Sequence, residues 1–171
     1  MANLRDIRRR IKSVKNTAQI TKAMQLVAAS KMKKAQDQAV SGRPYADLLN
    51  KVLVNLKEQT SEEDHPLLQE REGGRELVIV VTSDKGLCGA LNANLLRLTA
   101  EKVSHDATFI TVGNKGRQAL IRTKREVLAD FAVKDPVNFS ETRPISTFAI
   151  EQFLAGKFDR VLVAFTNFIN T

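Results

Sequence analysis

Leu77-Val78-Ile79-Val80-Val81-Thr82, then Ser83-Asp84-Lys85-Gly86-Leu87-Cys88-Gly89, then the run Ala90–Val103 together decide the fold class. The first stretch is a short, nearly continuous apolar run rich in β-branched residues, the pattern of a strand buried on both faces. The second carries two glycines behind a Ser-Asp pair, which is loop chemistry. The third sets Leu91, Leu95, Leu98 and Val103 along one side of a helix. A buried strand, a loop and an amphipathic helix form the first half of a parallel crossover unit.

The alternation continues towards the C-terminus. Ala107–Val112 reads as a second strand, and Gly113-Asn114-Lys115-Gly116 turns into a helix that runs through about Arg122. Glu126–Phe131 reads as a short third strand, Ser146–Leu154 as a helix and Arg160–Thr166 as a further apolar strand. Strands alternating with helices predict a parallel sheet with crossover connections. Asn167-Phe168-Ile169-Asn170-Thr171 follows directly on a buried strand. It does not read as a finished domain end, so the expectation is a truncated chain.

Towards the N-terminus, residues 58–76 are polar, acidic and glycine-containing, and read as a linker. Before them lies a helix of another kind. Leu4, Ile7, Ile11, Val14, Ala18, Ala28, Met32, Ala35 and Ala39 recur in alternating steps of three and four, with a gap at Thr21 and Gln25. That is the seam of a left-handed coiled coil, and Met24 and Met32 are expected to face or flank it as flexible packing residues. Ser41-Gly42-Arg43-Pro44 holds two helix breakers, yet Tyr45–Leu56 is helical again, with Leu48, Leu49, Val52 and Leu56 in phase. The expectation is one long helix kinked near 42–44, or two helices in line. The predicted fold is α/β: a long N-terminal coiled-coil helix followed by a Rossmann-like parallel-sheet domain with crossover helices. Its divisions are a basic coiled-coil helix over 1–57, a linker over 58–76 and an α/β domain over 77–171. An isolated helix gains little from propensity alone, so the seam needs a partner that this chain does not supply.

Composition narrows the function classes. Hydrophobic residues make up 43% of the 171 positions and aromatics 5%, without tryptophan, so the core is aliphatic. A single cysteine, Cys88, rules out an intrachain disulfide and fits a reducing compartment. The start MANLRDIRRR has no apolar run, so it is no secretory signal, and the longest apolar runs are strand-sized rather than membrane-spanning. The net charge of +8 is concentrated: residues 1–43 hold eleven Lys/Arg against two acids, while the rest of the chain holds 16 against 17. All the excess positive charge therefore lies on the helix, which implies a partner with a negative face.

No constellation for chemistry is legible. Gly86-Leu-Cys-Gly89 is not a dinucleotide fingerprint, and Gly113-Asn-Lys-Gly116-Arg117 is not a P-loop; turn geometry and close helix–sheet packing account for these glycines. Cys88 precedes a helix and lies near Lys85, which can favour a thiolate. Neither His65, in the linker, nor His105, after a helix, forms a Cys-His pair with it. Two histidines and one cysteine make a poor metal set, and Asp84 reads as a turn or cap residue. Three readings stand for the basic helix: a solvated coiled-coil face, a nucleic-acid-binding region, or a contact surface for a protein with acidic loops. The apolar seam runs through Arg8-Arg9-Arg10 and Lys12, whereas a basic zipper keeps its basic region and seam apart, so the protein partner is favoured.

Arg5-Asp-Ile-Arg-Arg-Arg-Ile11, Ile20-Thr-Lys-Ala-Met-Gln-Leu-Val-Ala-Ala-Ser-Lys-Met32, Ser83-Asp-Lys-Gly-Leu-Cys-Gly-Ala-Leu-Asn92 and Asn167-Phe-Ile-Asn-Thr171 closely resemble, in order and across the whole chain, the gamma subunit of F-type ATP synthase. The resemblance implies a central-stalk rotor that couples proton-driven rotation to conformational change at the catalytic beta subunits. Its N-terminal helix would pair antiparallel with a long C-terminal helix, which is missing here. The coiled coil would sit inside the hexamer of alpha and beta subunits, with the α/β domain near the epsilon subunit and the membrane c-ring.

The resemblance further implies that gamma makes and breaks no bond. Catalytic, cofactor-binding and metal residues are accordingly expected to be none, with no nucleic-acid partner. Arg8, Arg9, Lys12, Lys22, Lys31, Lys33, Lys85 and Cys88 become the expected contacts to alpha or beta. Ile7, Ile11, Val14, Ala18, Met24, Ala28, Met32 and Ala35 become the expected seam. The implied location is the cytoplasmic side of a bacterial inner membrane, with a mature mitochondrial or plastid chain as the alternative.

Overall fold

The structure, a computed structural model, describes residues 3–61, 65–134 and 137–170. Its elements are α1 (Leu4–Gln59), β1 (Glu76–Val81), α2 (Leu91–Lys102), β2 (Thr108–Val112), α3 (Asn114–Arg122), β3 (Val127–Phe131), α4 (Phe139–Leu154) and β4 (Arg160–Ala164). The chain divides into two units, residues 1–53 and 54–171.

The first unit is helix. α1 continues without interruption through Ser41–Pro44, and none of its residues is buried. Ile7, Ile11, Val14, Met24 and Met32 are all exposed, as the small seam residues Ala18, Ala28 and Ala35 are. At the gap in the seam, the Thr21 hydroxyl donates to the Thr17 carbonyl at 2.9 Å, and Thr17 repeats the bond to Ser13 at 3.0 Å. Polar groups that bond within their own helix can be covered by a partner at little cost.

In the second unit, the four strands are all parallel and lie in the order β3-β2-β1-β4. β1 is central because its residues suit burial on both sides. Val78 and Val80 point to one face, where they meet Leu95 of α2, Phe109 and Leu120 of α3. Leu77 and Ile79 point to the other, with Ile110 and with Ile145 and Ala149 of α4. The two-residue period of the strand thus feeds two cores. The chain steps outward from β1 to β2 to β3, then crosses back through α4 to place β4 on the far side of β1. That reversal makes the doubly wound arrangement expected from the alternating pattern.

α4 begins at Phe139, seven residues before the start read from sequence, with Pro144 inside it. A proline there forfeits one helical hydrogen bond. Ile145, Ala149 and Phe153, at successive four-residue steps, are buried under the helix, and that packing offsets the loss.

Part of the 58–76 stretch docks on the α/β unit. The Arg71 guanidinium donates to the carbonyls of Phe153 (2.6 Å) and Phe158 (3.2 Å), at the C-terminal end of α4, and lies 4.1 Å over the Phe153 ring. It adds a second, charge-assisted donor to the Phe153 carbonyl, which already accepts the Gly156 N–H at 3.0 Å, and stacks on the Phe153 ring. Arg75 forms a two-pronged pair with Asp159, Nε to Oδ2 at 3.0 Å and Nη2 to Oδ1 at 2.9 Å, and its backbone N–H donates to the same carboxylate. A Cβ on Gly73 would stand 2.2 Å from Asp159 Oδ2, so a side chain there would have to displace the carboxylate that Arg75 holds.

Hydrogen bonding from the Arg75 side chain and backbone holds the Asp159 carboxyl below its ordinary pKa. A depressed carboxyl stabilises the fold above its unfolded pKa of roughly 4, and the stabilisation is lost as pH falls through the lowered folded value. The drop in urea midpoint between pH 7 and pH 3 should therefore be smaller in Asp159→Asn than in the parent. An equal drop in both would show that the pair contributes nothing.

Candidate partner-contact site

Two surfaces carry the residues singled out from the sequence. On α1, Arg8, Arg9, Lys12, Lys22, Lys31 and Lys33 are all exposed. Arg9 lies 3.7 Å from Asp6, and both side chains are largely in water, where such a pair is worth ~0–1 kcal/mol. The apolar and small residues of the seam and this cationic set thus lie uncovered on one helix.

The second surface is the loop from Ser83 to Asn92, which holds Lys85 and Cys88. It is built from both ends. At the β1 end, three consecutive residues close the N-terminus of α3. Asp84 Oδ1 accepts the Asn114 N–H at 3.0 Å, the Ser83 carbonyl accepts the Lys115 N–H at 3.1 Å, and the Thr82 hydroxyl accepts the Gly116 N–H at 2.8 Å. These amides would otherwise favour an anion; here the protein itself takes them up. Asp84 is therefore the cap residue that its loop position implied. Gly113 is required because α3 starts so close to Thr82: a Cβ there would lie 2.1 Å from the Thr82 carbonyl oxygen, at φ +100°, whereas one on Gly116 would meet only the Thr82 side chain, at 3.0 Å.

At the α2 end, Asn92 braces the loop. Its Oδ1 accepts the Ser83 N–H at 3.2 Å, and its Nδ2 donates to Ser83 Oγ at 2.8 Å and to Cys88 Sγ at 3.3 Å. Cys88 is half-buried and serves as an acceptor inside this brace, while Lys85 is exposed. Two members of the loop surface went unrecognised in the sequence. Leu87 stands fully exposed at φ +62°. The Lys115 ammonium lies 4.0 Å from the position a Gly86 Cβ would take. A leucine set between Gly86 and Cys88-Gly89 was the available signal for the first; nothing local signalled the second, which comes from another crossover.

Where the strand order reverses, beside the carboxyl ends of β1 and β4, lies a cavity of about 470 Å³. This is where doubly wound sheets bind ligands. Its walls are chiefly Ile79, Val81, Val112, Val133, Ile145 and Val163, and the adjacent loops carry no phosphate-cradling glycine motif. Among the described residues, no group of three or more His, Cys, Asp or Glu is placed to hold a metal ion. No described helix is long and apolar enough to cross a membrane.

Comparison with known proteins covers the whole length. Residues 3–171 match the family described as ATP synthase. The chain is 48% identical to the ATP synthase gamma chain of Akkermansia muciniphila over all of its own length and 59% of the relative's. It is 51% identical to that of Opitutus terrae, again over its whole length and 58% of the relative's. The chain thus spans about three fifths of the curated relatives it matches. Among solved structures, it superposes with a TM-score of 0.59 and 29% identity on a chain of the Tetrahymena thermophila mitochondrial ATP synthase central stalk and c-ring, covering 84% of this chain and 63% of that one. The rotor of the Euglena gracilis mitochondrial ATP synthase matches with a TM-score of 0.58 and 20% identity, over 91% of this chain and 54% of that one, and shares the fold.

Proposed function

The chain belongs to the ATP synthase gamma-chain family, and from that premise we propose that it works as the rotor subunit of the central stalk, coupling proton-driven rotation to ATP synthesis and hydrolysis. The observation that carries this reading is α1: a 56-residue helix with an uncovered heptad seam and all the excess positive charge. The seam calls for a second long helix, from the part of the relatives' length that this chain does not span. The small residues Ala18, Ala28 and Ala35 let two helices approach closely and keep the shaft slim.

Rotation is useful only if the shaft is asymmetric. Each beta subunit then meets a different face in turn, and the differential contacts bias its catalytic site between open and closed states. Exposed lysines and arginines suit such contacts, because each is weak enough to break at every step. ATP synthase is itself an enzyme complex; in this reading the chemistry belongs to beta with alpha, and no residue of this chain makes or breaks a bond. The α/β unit would meet the epsilon subunit and the c-ring. The subunit would be peripheral, on the cytoplasmic side of a bacterial inner membrane or in the organellar equivalent.

The test joins residues 1–171 to the C-terminal portion of the Opitutus terrae gamma chain and assembles the product with alpha and beta subunits. Single neutralisations among Arg8, Arg9, Lys12, Lys22, Lys31, Lys33 and Lys85 should each change hydrolysis by less than about fivefold, the effect of roughly 1 kcal/mol. Neutralising them together should lower torque and hydrolysis. Unchanged torque in the combined variant would exclude the basic set as contacts. Failure of the joined chain to assemble, combined with steeply salt-dependent DNA binding, would replace the rotor reading with a nucleic-acid one.

A further inference from the structure

We propose that Arg71 is the load-bearing clamp of a strut, residues 65–76, through which torque passes between the α/β unit and the long helix; the proposal rests on the rotor reading and names the residue that stiffens one leg of the rotor. A slack connection here would be a mechanical fault. Polar, glycine-containing chain behaves as a flexible coil, and slack absorbs rotation before any is transmitted. The sheet and the last turn of α1, from Val54 onward, fall in one compact unit, so the stretch between them decides how firmly helix and sheet are joined.

The stretch is held at several points. Glu70 lies 3.6 Å from Lys57, in the last turn of α1. Leu67 lines a cavity of about 230 Å³ together with Ala149, Phe153 and Val161. Arg71 is half-buried, and its Nη1 donates to the carbonyls of Phe153 and Phe158 while the guanidinium lies over the Phe153 ring. Arg75 is fixed by backbone as well as side chain: its carbonyl accepts the N–H groups of Asp159 (2.9 Å) and Arg160 (3.2 Å), and its guanidinium grips an Asp159 side chain that is only 6% exposed.

These anchors are not equal. The Lys57–Glu70 pair lies in water and breaks readily. Arg75 immediately precedes β1, and its bonds hold the start of that strand whatever happens upstream. Between Arg71 and Arg75 lies Gly73-Gly74, the most pliant point of the stretch. Arg71 grips the end of α4 from the α1 side of that point, so a pull arriving from α1 reaches α4 before it reaches the two glycines. Phe153, whose ring and carbonyl both meet Arg71, is itself buried with Ile145 and Ala149 under α4, and hands the load to the core. A planar guanidinium can stack and donate at once, which a lysine ammonium cannot.

The experiment uses the joined chain described above, assembled with alpha and beta subunits. It compares the parent with Arg71→Met, with a Gly-Ser-Gly-Ser insert between Glu72 and Gly73, and with both changes together. Torsional stiffness is read from the angular fluctuations of a bead fixed to the α/β unit while the hexamer is held still. The clamp predicts that the insert alone leaves stiffness unchanged, because load has already left the chain at Arg71, and that adding Arg71→Met lowers it. In Arg71→Met without the insert, a glutamate-specific protease should cut after Glu70 and Glu72 about tenfold to a hundredfold faster, since the lost hydrogen bonds enlarge the open population. Softening by the insert alone would show that load follows the backbone through the glycines and would overturn the clamp. Equal stiffness in every form, or unchanged cleavage in Arg71→Met, would overturn it too and leave the rotor reading standing. Leu120→Val, a truncation in the core on the other face of the sheet, controls for general loss of stability; softening there equal to that of the combined form would assign Arg71 a merely structural role. If the parent joined chain fails to assemble, the rotor reading falls and takes the load path with it.

Discussion

Gly113→Ala is expected to destabilise the α/β unit by roughly 2–6 kcal/mol, combining ~1–3 kcal/mol for a residue forced into a disfavoured backbone region with ~1–3 kcal/mol for overpacking. Both causes are geometric. Gly113 sits at φ +100°, and an added Cβ would lie 2.1 Å from the Thr82 carbonyl oxygen and 2.8 Å from its carbonyl carbon. Those atoms are backbone of the central strand's end, so they cannot swing aside as the tip of a long side chain can. Moving Gly113 away would pull α3 off its caps at Thr82, Ser83 and Asp84. Typical domains are stable by only ~5–15 kcal/mol, so the variant should lose a large part of its cooperative urea transition or accumulate as insoluble protein. Gly156→Ala is the control: it shares a positive φ but has nothing within 4 Å, and should lose only the backbone share. Equal stability of Gly113→Ala and the parent would mean that the Thr82 contact yields without cost.

The second large effect concerns the seam. Ala18→Asp combined with Ala28→Asp should leave the α/β unit's unfolding unchanged, because both positions lie on the exposed face of α1, in the first of the two units. In the assembled subunit the outcome should differ sharply. Each carboxylate would be buried without a partner against the second helix, at roughly 3–5 kcal/mol per unpaired buried charge. The coiled coil should then weaken by at least about a hundredfold. Circular dichroism of the full-length chain at 222 nm, together with its retention in the alpha–beta complex, reads this out. Undiminished helicity and retention would show that these alanines do not face a partner and that the seam is wrongly phased.

Different features of the chain were legible to different degrees. Val78 and Val80 against Leu77 and Ile79 announced a strand buried on both faces, because the two-residue period acts within a few residues. α4 starts at Phe139 rather than at the Ser146 read from sequence, and it runs through Pro144, a residue that locally disfavours helix. Burial of Ile145, Ala149 and Phe153 overrides that local preference, and burial depends on a sheet assembled from distant segments. The loop from Ser83 to Asn92 stood out for its residues, and Asp84 was recognisable as a cap. The helix it caps, α3, could not be named, because the bonded Asn114 lies thirty positions away. Docking of Arg71 and Arg75 was hidden for the same reason: their partners Phe153 and Asp159 come more than eighty residues later, and a polar, glycine-containing stretch looks the same free or bound.

The sequence by itself determined the kinds of element, their order, the heptad stripe and the placement of charge, since periodicity and composition are properties of neighbours along the chain. Tertiary structure alone decided that β1 is central, that the β1 loop closes α3, and that Leu87 projects from a loop that Lys115 also reaches. Those outcomes depend on which distant segments pack together, and packing is settled by burial and hydrogen-bond satisfaction across the whole α/β unit.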